Sequence, residues 1–241
     1  MPELTVDTLT LGLIWFVVFL FSTTCHEGAH ALVAKLGGDP TASGQVTLNP
    51  IPHIQREPLG MIVVPIASYF LSGWVMGWAS APYDPTWAYR HPHRAARMAL
   101  AGPAANFTLM VLAAVAIRAG VAADIFRPPL PQEIIENGFS WIAVAVDPGI
   151  GSLFARLVSI LFVLNLLLGT FNLLPLSPLD GSVGVTALMS EERARRFLEF
   201  MRNPSFALMG LVIAWTLFGR IFSQIFWPVM NVLYYPLVSY G

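Results

Sequence analysis

Five apolar stretches, separated by short polar connections, organise the 241 residues. They cover about residues 8–36, 59–81, 95–121, 152–176 and 205–227, and an aromatic tail, "NVLYYPLVSY", follows the last. Runs approaching or exceeding ~18 apolar residues predict bilayer-spanning helices. The second stretch differs from the others. Gly60, Pro65, Gly73 and Gly77 interrupt it, which predicts a broken or re-entrant element, since irregular backbone at membrane depth needs protein or water to cover it. Between the first two stretches, "SGQVTLNP" carries the β-branched content and Gly/Pro punctuation of a short β-hairpin-like element. The longest connection, residues 122–151, is too short and too rich in Pro and Gly to build a core of its own. The expected fold is therefore an all-α polytopic membrane protein with about four transmembrane helices, a re-entrant segment and one small β-like element. It forms a single membrane domain over residues 1–241, with its core at about 8–185 and a C-terminal membrane helix at about 205–227.

Composition agrees with a bilayer protein. The chain is 56% hydrophobic and 11% charged, against roughly 25% charged in soluble domains. A net charge of −1 argues against a nucleic-acid partner, which calls for a basic surplus. The single cysteine, Cys25, excludes an intramolecular disulfide. Glu3 and Asp7 stand where a signal peptide would be basic, and no A-x-A site follows, so the first helix is expected to be retained.

The first stretch ends in "CHEGAH". On a helix, positions i and i+4 share a face, so His26 and His30 project side by side with Glu27 next to them. This is the H-E-x-x-H arrangement, in which two imidazoles ligate zinc and the glutamate acts as general base. A chance match is the alternative, but ionisable groups inside a membrane segment are expensive and generally functional. A catalytic zinc typically needs a third protein ligand. Asp180, in "NLLPLSPLDG" at residues 172–181, follows the fourth stretch where Pro175 and Pro178 break the helix. Taken alone, it reads rather as an ordinary Asp-Gly turn at the interface.

HEGAH at the end of one membrane helix, "LAGPAAN" in a middle one and "NLLPLSPLDG" at a later one, in that order, resemble the site-2 protease family of intramembrane zinc metalloproteases. "GQVTLNPIPHI", "PLG" and Gly77–Trp78 resemble its compact prokaryotic-type branch, without added peptide-binding or nucleotide-sensing domains. The resemblance covers most of residues 20–185. It implies one zinc per chain held by His26, His30 and Asp180, with Glu27 as catalytic base and Asn172 contacting substrate or the scissile carbonyl. It further implies membrane-protein substrates, with a homo-oligomer or a regulatory membrane partner left open. Two departures from that branch, "HIQRE" for His-Ile-Asp and "GWASAP" without a following lysine, touch no expected ligand.

A shared metal sets a condition on topology. The C-terminal ends of the first and fourth stretches must lie on one membrane face, so the chain between them must cross an odd number of times. A re-entrant second stretch meets this condition. It places Lys35, Arg56, Arg90, Arg94, Arg97, Arg193, Arg195, Arg196 and Arg202 on one side, against Arg118, Arg127 and Arg156 on the other. By the positive-inside rule the first side is cytoplasmic. The expectation is a protein of a bacterial or archaeal inner (cell) membrane, with its active site toward the cytoplasm.

Other polar residues are less determined. Asn106, inside the third stretch, is either a bond to another helix or a substrate contact. His53, in "NPIPHI", is either a substrate or gating contact or an interfacial histidine. His91 and His93 lack a third ligand nearby and read as interfacial. Against peptide hydrolysis stands a zinc-binding scaffold or receptor without activity; retention of Glu27 weighs against it, since a structural site needs no base. A transporter would show paired broken segments in two halves, which the sequence lacks.

Overall fold

In the computed structural model, which describes residues 5–240, the chain starts with helix α1 (Val6–Leu36). Glu3 and the other residues of 1–4, and residue 241, lie outside the described part. The Thr5 side chain caps α1 by accepting from Thr8 N–H, and Asp7 and Lys35 stand at the ends where the helix dipole favours them. Thirty-one residues rise about 46 Å at ~1.5 Å each, more than the ~30 Å hydrocarbon core.

The β-hairpin expected at residues 43–50 is not formed. Ser43–Gln45 is a 3₁₀ turn. The backbone N–H of Asn49 is taken by Thr47 Oγ1 and that of Ile51 by Asn49 Oδ1. These side-chain bonds compete with ladder pairing and lead into helix α2 (Ile51–Arg56). The two-stranded sheet lies elsewhere, as described below.

The interrupted second stretch folds as a π-helical turn, Leu59–Val63, continuing into α3 (Val64–Ser72). Together they are shorter than the ~20 residues of a span. Gly73, at φ 79°, ends the helix in the left-handed conformation. The chain then returns without helix, and Trp78 N–H donates to the Gly60 carbonyl at 3.1 Å. This close return needs two glycines: a Cβ at Gly77 would sit 2.4 Å from Gly60 O, and one at Gly60 would sit 2.3 Å from Trp78 O. Tyr69 fixes the element to α1 by donating to Thr8 O at 2.6 Å.

Helices α4 (Pro85–Arg90) and α5 (Pro92–Ala122) follow, each with proline at its start. Trp87 Nε1 and Arg94 both donate to Gly37 O, and Asp39 accepts from Asp84 N–H. These bonds hold the start of α5 at the C-terminal end of α1, so α5 runs back antiparallel. Beyond it, β1 (Phe126–Arg127), α6 (Pro131–Asn137) and β2 (Val144–Ala145) cap the far end, with Phe126 opposite Ala145 in an antiparallel pair.

Helix α7 (Ile150–Asn172) returns parallel to α1, burying Ile160 and Leu164 against Trp15, Val18 and Phe19. Only α5, among the described elements between α1 and α7, is long enough to cross a bilayer. Short helices α8 (Asp180–Gly184) and α9 (Glu191–Met201) lead to α10 (Pro204–Tyr234). This last helix extends past the expected end near 227 because the tail is anchored. Tyr234 donates to Ile142 O, Tyr240 to Pro129 O, and Arg118 to the Leu233 and Tyr235 carbonyls. The described residues contain four helices, α1, α5, α7 and α10, long and apolar enough to cross a membrane. Leu13, Val17, Leu112, Leu208 and Trp215 point outward from them. This is the surface of an integral membrane protein.

Candidate metal centre

The antiparallel fit of α1 and α5 brings the HEGAH turn against the start of the "LAGPAAN" helix. Gly102 makes the contact possible, for a Cβ there would lie 2.5 Å from His26 Nε2 and 2.4 Å from His30 Nε2. Both imidazoles are buried, at 7% exposure. His26 Nδ1–H donates to Asn106 Oδ1 at 2.6 Å, and His30 Nδ1–H to the Met98 carbonyl at 2.7 Å. With each Nδ1 committed as donor, each Nε2 carries a lone pair.

Asp180 reaches the same point from the N-terminus of α8. The loop after α7 wraps tightly over it, and a Cβ at Gly181 would meet Leu173 O at 2.3 Å and Leu174 O at 2.4 Å. Glycine is required there by close approach of the main chain. Asp180 Oδ2 lies 3.1 Å from His26 Nε2 and 3.3 Å from His30 Nε2, and the two Nε2 atoms are 3.0 Å apart.

Three buried electron-pair donors facing one another are mutually repulsive unless a cation lies between them. Asp180 Oδ2 is correspondingly a buried oxygen without a hydrogen-bond partner. Tetrahedral zinc with bonds of about 2.0–2.1 Å separates its ligand atoms by about 3.4 Å, close to the distances found. Two imidazoles and one carboxylate suit zinc and leave a fourth position open. His26, His30 and Asp180 therefore fit a metal ion, and they are the group of such residues that converges among those described.

Glu27 is adjacent on α1 and buried, at 6% exposure. No hydrogen bond or ion pair to its carboxylate is found among the described residues.

The other candidates are distributed differently. Asn106, read as either a helix bond or a substrate contact, makes helix bonds: it is fully buried, accepts from His26, and donates to Asn165 Oδ1 at 2.9 Å. Both ends of its amide are engaged, and its oxygen orients the His26 ring. Asn172 ends α7, half-buried, with its amide donating to Leu168 O. Among the described residues it makes no hydrogen bond to the His–Asp cluster. His53 is buried on α2, close enough to Glu27 to feel its charge. His93 donates to Met189 O, away from the cluster.

Sequence reasoning missed Asn165 and Ser22. Asn165 Nδ2 donates to Ser22 Oγ at 2.9 Å and to Leu161 O. A continuous chain, His26–Asn106–Asn165–Ser22, thus ties α1, α5 and α7 together behind the site. The signal was available, since an asparagine within "FVLNLLL" is a costly polar residue at membrane depth.

Comparison with known proteins agrees with this chemistry. No solved structure matches the chain. A "Putative zinc metalloprotease YwhC" of Bacillus subtilis (strain 168) is 31% identical over 226 residues, spanning 89% of this chain and 84% of the relative. The family model for peptidase family M50 matches residues 14–217, a range that takes in the HEGAH turn, Asn106 and Asp180, and the chain belongs to that metalloprotease family.

Proposed function

We propose that this protein is an intramembrane zinc endopeptidase that cleaves membrane-protein substrates within or beside the bilayer. The observation that carries the reading is the convergence of His26 Nε2, His30 Nε2 and Asp180 Oδ2 beside a buried, unpartnered Glu27. One zinc per chain, held by those three residues, would supply a Lewis acid and make hydroxide available near neutral pH. Asn106 and the Met98 carbonyl hold the two imidazoles in the tautomer that ligation requires. Glu27 takes a proton from the attacking water and returns it to the departing amine. Asn172, at the end of α7, holds the substrate backbone.

The elements suit a substrate arriving from lipid. Residues 59–81 form a re-entrant element, entering as α3 and returning beside it, so that α5 alone crosses between α1 and α7. An apolar cavity of about 220 Å³ lies between the returning chain at Trp74–Gly77, α7 and α10. It offers a lateral path for a substrate helix, which must unwind locally to expose a carbonyl. The basic surplus at the site end of the helices orients that end to the cytoplasm of a bacterial or archaeal cell.

The test is Glu27→Gln in protein reconstituted with a membrane substrate. Zinc content stays at the wild-type level and cleavage is abolished. Unchanged turnover would sink the reading.

A further inference from the structure

His53 is a buried histidine to which the steps above give no task. The segment that leads to it crosses α1 at the turn carrying the base. A Cβ at Gly28, the residue after Glu27, would meet Thr47 O at 3.2 Å and Gln45 O at 3.7 Å. His53 follows on α2, 1% exposed. Neither of its ring nitrogens makes a well-formed hydrogen bond among the described residues, with the Thr47 backbone close by. Burial lowers its pKa, against the charge of Glu27, which pulls the other way. The ring lies close enough to feel that carboxylate, and burial favours its neutral form, which keeps one N–H to donate.

Buried polar groups without partners are rare and call for an explanation. Here they gather in one place. Among the described residues, apart from Asp180 Oδ2 and Arg195 Nε, the unpartnered buried side-chain atoms are Thr23 Oγ1, Thr24 Oγ1, Gln45 Oε1 and the two nitrogens of His53. Thr23 and Thr24 precede Glu27 by one helical turn and share its side of α1. Gln45 and His53 come from the segment packed across it.

We propose that His53 is a catalytic residue whose imidazole N–H donates to the substrate's carbonyl oxygen as charge develops there. The assignment rests on the peptidase reading. Peptide hydrolysis needs a donor at that oxygen as well as a base, and the buried side-chain N–H donors around the metal ligands are spent. The Nδ1–H groups of His26 and His30 are committed to Asn106 and Met98, the Asn106 amide to Asn165, and the Gln45 amide to Ser80 O. A threonine hydroxyl can turn back to its own helix, whereas the His53 ring has only the Thr47 backbone close by.

In the step itself, the water oxygen bonds to the carbonyl carbon while Glu27 takes one water proton. The carbonyl π pair moves onto oxygen, which accepts the His53 hydrogen bond without receiving its proton. Collapse re-forms the carbonyl and breaks the C–N bond, and the proton on Glu27 passes to the nitrogen.

The test compares zinc-loaded wild type with His53→Phe and His53→Gln in lipid nanodiscs. Phenylalanine keeps a ring without a donor, and glutamine keeps an N–H. For His53→Phe, kcat should fall by about 10²–10³-fold with KM and zinc content near wild type, and His53→Gln should recover at least about tenfold of it. Binding of a peptide phosphinate, which mimics the tetrahedral oxygen, should weaken on the same scale, while binding of an uncleavable substrate peptide holds. A raised KM at unchanged kcat, lost zinc, or undiminished phosphinate affinity overturns the assignment and leaves the peptidase reading standing. A zinc-loaded wild type that cleaves no membrane substrate overturns both.

Discussion

His26 and Asn106, eighty residues apart in sequence, meet at 2.6 Å, with Nδ1 of the imidazole donating to the amide oxygen. The bond fixes which nitrogen of His26 is free to bind a metal, and Asn165 fixes Asn106 in turn. Removing such an outer partner costs on the order of 10–100-fold in metal affinity. Asn106→Ala should lose zinc affinity on that scale, read by competition with a chromophoric chelator, with helix content unchanged. Asn165→Ala should weaken binding less, and the double variant should fall short of the sum of the two, since both act through one ring. Independent, additive losses would show that the chain of bonds does not orient His26.

Gly102 sets the distance between α5 and the two imidazoles. In Gly102→Ala the new methyl would press on both Nε2 atoms, at 2.4 and 2.5 Å, and the rings must move off the metal position. Zinc per chain should drop while the melting temperature of the metal-free protein stays close to wild type. Gly219→Ala on α10, where a Cβ meets nothing within 4 Å, should leave both quantities unchanged. Full zinc retention in Gly102→Ala would contradict the packing described.

At the far end of the bundle, the hydrogen bonds from Arg127 pull the Glu133 carboxyl down from its ordinary 4.5 to about 2. A carboxylate depressed on folding adds stability that is fully present above 4.5 and is lost as pH falls toward about 2. The pair is partly exposed, so the effect is local and modest. Hydrogen-exchange protection of α6, corrected for intrinsic rates, should decline over that window in wild type. Arg127→Gln should lower protection at pH 6 and flatten the decline. An identical profile in the variant would rule out the ion pair as its cause.

Much of the site was legible because its chemistry obeys spacing. HEGAH places two imidazoles on one helix face, and Asp180 stands where prolines end a helix. Between them the described chain has a short α3 and one helix, α5, long and apolar enough to cross a membrane. What was hidden depends on packing. The Met98 carbonyl that holds His30 is a main-chain atom with no sequence signature. Asn106 was visible as polar, but its direction was not, and only packing shows that it supports His26. The hairpin misreading at 43–50 came from β-branched content, whereas Thr47 and Asn49 spend their side chains on neighbouring N–H groups. Strands of two residues each, at Phe126–Arg127 and Val144–Ala145, are too short for alternation to reveal. The extension of α10 to Tyr234 rests on contacts with residues 129 and 142, distant in sequence.

The most direct measurement of the central claim is zinc X-ray absorption on the purified protein, with metal stoichiometry on the same samples. Wild type and Glu27→Gln should each carry one zinc, with imidazole nitrogen and carboxylate oxygen ligands at about 2.0–2.2 Å and no sulfur. His26→Ala, His30→Ala and Asp180→Ala should each lose the ion. A sulfur ligand from Cys25, or full zinc occupancy in Asp180→Ala, would contradict the assignment of His26, His30 and Asp180 as the metal site.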